Sequence, residues 1–296
     1  MRRVRKTEYD VREAREAYLL LAPFGVFFAL FVLYPIVRSA ADSFTNYSLG
    51  GRDFVGLANY ARLLRDGAFR ASVRNTLLYA LGSIAPLMAL GLLAALLVRR
   101  QSGLMFAARA ALMTPYVTSL VAVSMVFLYL YNPTTGALNK LLAAVGLPRQ
   151  LFLYDPAQAL GCLVAMNVWK NFGYVMILYL AGLAGVPESL LEAAELDGAG
   201  SWTMLIRIQL PHIRPVTYLL ATTLTVECFK TFEPVRLMTQ GGPVNATTTI
   251  TYQIYLRAFS EFKMGYASAM SVVLLLIVLA VTLLNLKLGR QLEEDV

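Results

Sequence analysis

The chain has 296 residues, 58% of them hydrophobic and 15% charged, with a mean hydropathy of +0.60. That excludes a soluble domain of this size and reads as a polytopic membrane protein. The formal charge of +8 is spread along the chain rather than gathered on one face, so nucleic acid is not an expected partner. Cys162 and Cys228 both lie inside apolar runs, where neither a disulfide framework nor a metal site is suggested.

Residues 1–17 carry six Lys/Arg mixed with four acids and read as a solvated cytosolic tail. Tyr18 to Val37 is the first expected span. Its basic flank and Ser39-Ala40-Ala41 mimic a secretory signal, but the apolar run exceeds the roughly 7–15 residues of a signal core, which favours an uncleaved span. Residues 42–71 are polar, with Gly50-Gly51, and form the first expected external loop. The second span, Leu77 to Val98, is closed by Arg99-Arg100-Gln101-Ser102-Gly103, a basic turn suited to the cytosol. The third runs from Ala107 to Tyr131. Pro86 and Pro115 predict kinks or local unwinding, tolerable where neighbouring helices supply hydrogen bonds. Residues 132–158, with Asn132-Pro133, Gly136, Gly146 and Pro148, form the second external loop.

The fourth span, Ala159 to Leu183, carries Asn167, Lys170, Asn171 and Tyr174 at i, i+3, i+4, i+7, which puts two amides, an amine and a phenol on one stripe. An ammonium at mid-span costs a few kcal/mol on insertion scales, so Lys170 must face a partner, a cavity or water. The fifth span, Val216 to Val235, holds Glu227, Lys230 and Glu233, and Glu227 and Lys230 are spaced to pair with each other. Two readings stay open. The polar groups bind helices together, or they line a chamber for a hydroxyl-rich solute, with an aromatic ring for the apolar face of a sugar.

Between these spans, residues 187–211 are polar. Ser189 with Glu192 fits a capping box, so a short helix is expected to begin near Pro187 and to stop at Gly198, where glycine takes the left-handed conformation. Ser201 is placed to cap a second helix with Trp202, Leu205, Ile206 and Gln209 on one face, and Pro211 to start the next span. The object is a helix-glycine-helix elbow at the membrane surface. An amphipathic linker lying on lipid headgroups is the plainer reading, but Glu188, Glu192, Glu195 and Asp197 would be repelled by an anionic surface.

Residues 236–262 form the third external loop, turning at Thr239-Gln240-Gly241-Gly242-Pro243, with Asn245, Thr247, Thr248 and Thr249 expected to offer exposed hydrogen-bond groups. The sixth span is Ala267 to Leu286, and residues 289–296 are a second cytosolic tail. The expected fold is all-α: six spans within residues 18–288, both termini on one side. Lys/Arg counts barely decide the orientation, though the amino terminus and the Arg99-Arg100 turn favour cytosolic ends.

Glu192-Ala193-Ala194, three residues, Gly198, nine residues, Ile208, one residue, then Leu210-Pro211 resembles the EAA loop of the permease subunits of ABC importers at each fixed position. Shorter pieces resemble the sugar-importing branch: Ala58-Asn59-Tyr60, Asn75-Thr76-Leu77, Gly136-Ala137-Leu138-Asn139, Val145-Gly146-Leu147 and Gly241-Gly242-Pro243. Together they extend from about Leu21 to Ala269. The resemblance implies that Glu192, Ala193, Ala194, Asp197, Gly198, Ile208, Leu210 and Pro211 couple to a cytosolic ATPase dimer. It also implies a second permease subunit and an extracytoplasmic solute-binding protein, met at Gly241, Gly242, Pro243 and Asn245. It further implies a sugar-like solute and a place among the lipids of the cytoplasmic membrane. ATP and magnesium would belong to the ATPase, and no cofactor is expected on this chain.

No G-x-x-x-x-G-K-[ST] is present to cradle ATP phosphates. The only histidine, His212, has no cysteine or carboxylate cluster to make a zinc site or a triad, and membrane-interface anchoring suits it better. No catalytic residue is expected. The alternative is an ion-coupled secondary transporter titrating at Lys170, Glu227 and Glu233. It has no visible inverted repeat and leaves the elbow without a role.

Overall fold

A computed structural model describes residues 8–294, almost all of them in or between helices. α1 (Glu8–Phe28) passes through a π-turn at Ala29–Leu33 into α2 (Tyr34–Asp42). The π-turn sits just ahead of Pro35, whose missing N–H leaves a helical carbonyl without its donor. α3 (Ala58–Arg65) leads into α4 (Gly67–Val98). The Asp66 carboxylate accepts from the amides of Ala68 (2.9 Å) and Phe69 (3.3 Å), and this cap starts α4 ten residues ahead of the expected Leu77. α4 continues unbroken past Pro86, so no interruption forms there.

α5 (Gly103–Val117) and α6 (Leu120–Leu130) replace the single third span expected over 107–131, and they meet at 92°. Pro115 did mark the place. α7 (Ala137–Ala144) and a short helical turn at Phe152–Tyr154 precede α8 (Ala159–Ala184), which ends one residue beyond the expected Leu183. The elbow comprises α9 (Glu188–Leu196), α10 (Ser201–Met204), a π-turn at Leu205–Gln209 and α11 (Leu210–His212). α12 (Arg214–Phe229) stops well short of the expected Val235, because Pro234 and the turn before it cannot continue the helix. α13 (Ile250–Tyr255) and α14 (Met264–Glu294) complete the chain.

Residues 8–17 continue α1, and α14 runs through most of the expected tail at 289–296. Residues 1–7 and 295–296 of the expected tails lie outside the described residues. Among the described helices, four are long and apolar enough to cross a membrane alone, and the bent pair α5–α6 makes a fifth. The expected six therefore depends on α12, at 16 residues.

α4 and α8 form the centre, flanked by α5 and α12. Leu87 and Ala95 of α4 pack with Val175, Met176 and Tyr179 of α8 and with Leu220 and Leu224 of α12. A second cluster joins Tyr79, Leu163, Met166, Cys228, Phe229 and Tyr252. A third joins Leu63, Phe69 and Ile250 to Tyr266 and Met270 of α14. α5 approaches α8 at Gly173, where a Cβ would collide with the Leu112 carbonyl. By contrast, no residue is buried in the most apolar stretch of the first span, Glu16–Asp42.

Candidate functional site: a polar cavity, a surface elbow and a knotted turn

The sequence stripe and the charges of the fifth span converge on one cavity of about 730 Å³ between α5, α8 and α12. Asn167, Lys170, Asn171 and Tyr174 line it from α8, Thr223 and Glu227 from α12, and Lys230 and Glu233 from the turn that follows. Lys170 is 7% exposed. Its Nζ donates to the carbonyls of Pro115 (3.1 Å), Tyr116 (2.9 Å) and Thr118 (2.7 Å), so one ammonium closes the carboxyl end of α5 where the chain turns into α6. Asn171 Nδ2 donates to the Asn167 carbonyl (3.0 Å) and to Asn167 Oδ1 (2.8 Å). Tyr174 stacks on Tyr116 at 4.7 Å between ring centroids, 12° from parallel. Tyr116 and Thr223 were not singled out from sequence. Tyr116 lies 58 positions from Tyr174, and only the break beside Pro115 hinted at it.

The expected Glu227–Lys230 pair does not form. Lys230 follows the last residue of α12, off the helical lattice, and among the described residues Glu227, Lys230 and Glu233 have no ion pair within 4.0 Å.

A second cation treats α4 as Lys170 treats α5. Arg109 Nη2 donates to the carbonyls of Val98 (2.7 Å), Arg99 (3.2 Å) and Arg100 (3.1 Å), and Nε donates to Val98 (3.0 Å).

In the elbow, α9 ends as expected. Gly198 adopts φ +79, and the amides of Asp197, Gly198 and Ala199 turn back to the carbonyls of Ala193, Glu195 and Ala194. The capping roles differ from expectation. Pro187 and Gly200 take the cap positions with extended backbone, so Ser189 and Ser201 fall inside the first turns and cap nothing. The apolar stripe also splits. The π-turn at Leu205–Gln209 rotates Gln209 inward, buried 3.4 Å from Arg99, and leaves Trp202 and Ile206 exposed. No residue of α9 is buried, and Leu196 is 90% exposed. Glu192, Ala193, Asp197 and Gly198 face outward, Ala194, Ile208, Leu210 and Pro211 are half-buried, and Pro211 lies within α11 rather than at the head of α12. His212 Nε2 lies 3.1 Å from the Gly185 carbonyl, tying the two ends of the elbow together.

The turn at 239–249 is knotted on itself. Gln240, Gly241, Val244 and Asn245 all have positive φ, and a Cβ on Gly241 would come within 2.5 Å of Thr248 Oγ1. Thr247, Thr248 and Thr249 are buried, contrary to expectation. Their hydroxyls donate inward, to Gly242, to Gly241 and to Thr231, because a turn with four left-handed residues has no ladder for its carbonyls. Asn75 Nδ2 holds the turn onto α4 through the carbonyls of Asn245 (2.8 Å) and Thr248 (3.1 Å). Val244, 89% exposed, and Asn245 form its tip, with Gly241 beneath and Gly242 and Pro243 half-buried.

Beyond the head of α4, Asp66 also accepts from Tyr266 Oη at 2.7 Å and faces Arg257 at 3.5 Å. Burial pulls its pKa up, but the Tyr266 bond, the two amide bonds and Arg257 outweigh it and hold the carboxyl below its ordinary 3.8.

A helical body with a charged cavity at its centre and an unburied elbow between α8 and α12 defines a membrane-embedded transport subunit. The chain belongs to the family of binding-protein-dependent transport system inner membrane components, matched over residues 87–293. It is 30% identical over 284 residues to the sulfoquinovosyl glycerol transport system permease protein SmoG of Agrobacterium fabrum, covering 95% of this chain and 92% of that protein. It is 32% identical over 268 residues to the sn-glycerol-3-phosphate transport system permease protein UgpA of the same organism, covering 90% and 91%. Among solved structures, a bacterial alginate ABC transporter in complex with an alginate pentasaccharide-bound periplasmic protein superposes with a TM-score of 0.86 at 25% identity, over 96% of each chain. The family assignment replaces the ion-coupled alternative.

Proposed function

We propose that this chain is one of two permease subunits of an ATP-driven, binding-protein-dependent importer of sugars or related polyols. The observation that carries the reading is the cavity, where amides, a stacked tyrosine pair and charged groups from three helices meet around a volume of sugar size. The solute class is supported by the names of the relatives, which refer to a sulfoquinovosyl glycerol, a glycerol phosphate and alginate.

Six crossings follow if α1–α2, α4, α5–α6, α8, α12 and α14 each span once, within residues 18–288. The elbow and both termini then lie in the cytosol, and the turn at 239–249 lies outside. Glu192, Ala193, Ala194, Asp197 and Gly198, with Ile208, Leu210 and Pro211 behind them, meet an ATPase that carries the ATP and magnesium. Support comes from the bare surface of α9 and the exposed Leu196, Trp202 and Ile206 beside its acids. Gly241, Gly242, Pro243 and Asn245 meet the solute-binding protein. A second permease subunit covers the unburied face of the first span. Closure of the ATPase pair draws the elbows together and rocks the helices between two access states.

The test is reconstitution of the whole complex in proteoliposomes. Gly198→Ala forces a side chain into left-handed backbone at a cost of about 1 kcal/mol, and Glu192→Lys reverses a contact charge. Both are expected to abolish solute uptake and binding-protein-stimulated ATP hydrolysis while the chain stays in the membrane. Unchanged coupled hydrolysis in either variant refutes the elbow's role.

A further inference from the structure

We propose that the cavity between α5, α8 and α12 discriminates by charge, accepting a polyhydroxylated solute that is neutral or bears an amino group and rejecting one that carries a phosphate, sulfonate or carboxylate. The inference rests on the reading of this cavity as the solute path. By composition the lining looks balanced, with Lys170 and Lys230 against Glu227 and Glu233. Geometry mutes one of the two cations. All three N–H donors of Lys170 are engaged by the carbonyls of Pro115, Tyr116 and Thr118. Those carbonyls end a helix, where the aligned peptide dipoles sum to about half a negative charge. The ammonium is therefore partly offset by the backbone that it closes, and it has no donor left to offer a solute.

The carboxylates are not matched in this way. Glu227 and Glu233 are exposed to the cavity, and among the described residues neither has a cation within 4.0 Å. Lys230 is the one cation of the lining with unengaged donors. The ammonium of Lys230 and the half charge left at Lys170 fall short of two carboxylates, so the wall carries a small net negative charge.

The neutral groups offer acceptors as well as donors: Asn167 uses its Oδ1 for Asn171 and keeps its amide nitrogen, so the discrimination rests on the carboxylates. Both hydrogen bonds of the Asn171 amide use its nitrogen, which leaves its Oδ1 as an acceptor, and the one proton of the Thr223 hydroxyl is shared between the carbonyls of Leu219 (2.9 Å) and Leu220 (3.2 Å), which leaves its lone pairs. Sugar hydroxyls and ammonium groups bring donors to such a wall, and the stacked Tyr116 and Tyr174 rings offer a platform for the apolar face of a pyranose. An anionic group meets two carboxylates that no ion pair neutralises, and like charges repel. The solute of this chain is thereby separated from sn-glycerol 3-phosphate, the anion named for one relative.

The experiment reads the field of the cavity without knowing the solute. A cysteine is placed one helical turn before Glu227 (Thr223→Cys), and separately at the rim in Val117→Cys, where the native side chain is 77% exposed. Both are made in a Cys162→Ala, Cys228→Ala background of the full chain, assembled in its complex in proteoliposomes. The probes are two methanethiosulfonate reagents of similar size, one bearing a trimethylammonium and one a sulfonate, applied from each face. Relative to a free thiol in solution, the cationic reagent is expected to gain about tenfold over the anionic one; Glu227→Gln, which leaves one carboxylate against Lys230, should abolish that gain, and Glu227→Gln with Glu233→Gln should turn the preference toward the sulfonate. A ratio equal to the free thiol's, or one favouring the sulfonate, overturns the charge inference and leaves the solute path standing. Failure of both reagents to react at both positions, from either face, overturns the path and the inference together.

Discussion

Replacing Lys170 by methionine separates a closing role from a solute-binding one. The substitution keeps the length and apolar stem of the side chain and removes the three bonds to Pro115, Tyr116 and Thr118. A buried acceptor left without a donor costs about 1–3 kcal/mol. Tyr116 and Thr118 lie at exposed positions, where cavity water takes the place of the ammonium, so most of the penalty falls on the half-buried Pro115 carbonyl. Removing a buried charge returns part of its desolvation cost. The net expectation is a loss of about 1–2 kcal/mol, or a fall of about 3 °C in Tm for a domain of this size. Lys170→Arg should fall between the two, since a planar guanidinium is a poor match for three carbonyls arranged around a point. Tm of the purified complex is measured beside the solute dependence of uptake, and spin labels on α5 and α6 report the width of the 92° bend. Lower stability and a broadened bend, with the apparent solute constant unchanged in the surviving fraction, is the expected result. A Lys170→Met complex with unaltered Tm and an apparent constant raised about tenfold or more would refute the reasoning and make the ammonium a solute ligand.

Gly173→Ala drives a methyl group into the Leu112 carbonyl and should destabilise the complex by about 2–3 kcal/mol, whereas Gly161→Ala, with nothing within 4 Å, should be silent; equal thermal stabilities would refute the close contact. Because the Asp66 pKa is depressed, its contribution is complete above its ordinary 3.8 and drains away as the pH falls below that value. The stability difference between wild type and Asp66→Asn should therefore be full at pH 7 and shrink toward about pH 3, and a difference that grows on acidification would contradict the assignment. A cysteine at Asn245 should crosslink to the solute-binding protein in one nucleotide state of the complex, and absence of a crosslink in every state would detach the turn from that partner.

Much of the architecture was legible where a run of side chains reports its own environment. α8 lies within a residue of its expected ends because its apolar run is bounded by turn formers on both sides. Gly198 was legible because only one backbone conformation calls for glycine there. The misreadings share a cause, which is that they depended on where a helix begins or on what another helix supplies. Ser189 is a good cap two positions too late, because Pro187 already takes the cap position. Thr247 to Thr249 look like surface polar residues, yet the tightly folded turn uses two of these hydroxyls for its own carbonyls at Gly242 and Gly241 and the third for the Thr231 carbonyl after α12. The role of Lys170 was beyond reach of local pattern, since its three acceptors lie 52 to 55 positions away. What the stripe on α8 did reveal was the direction the polar face points, and the cavity lies there.

α8 joins the elbow to the bend in α5–α6 as a single uninterrupted rod. Lys170 sits fourteen residues before Ala184, a lever arm of about 21 Å at 1.5 Å per residue. Pivoting that rod by about 8° at its elbow end sweeps the ammonium through about 3 Å, a full hydrogen-bond length. Displacement at the elbow therefore reaches the break in α5–α6 as a mechanical stroke, in proportion to distance along the rod, and the three carbonyls around Nζ are the catch that such a stroke would lift.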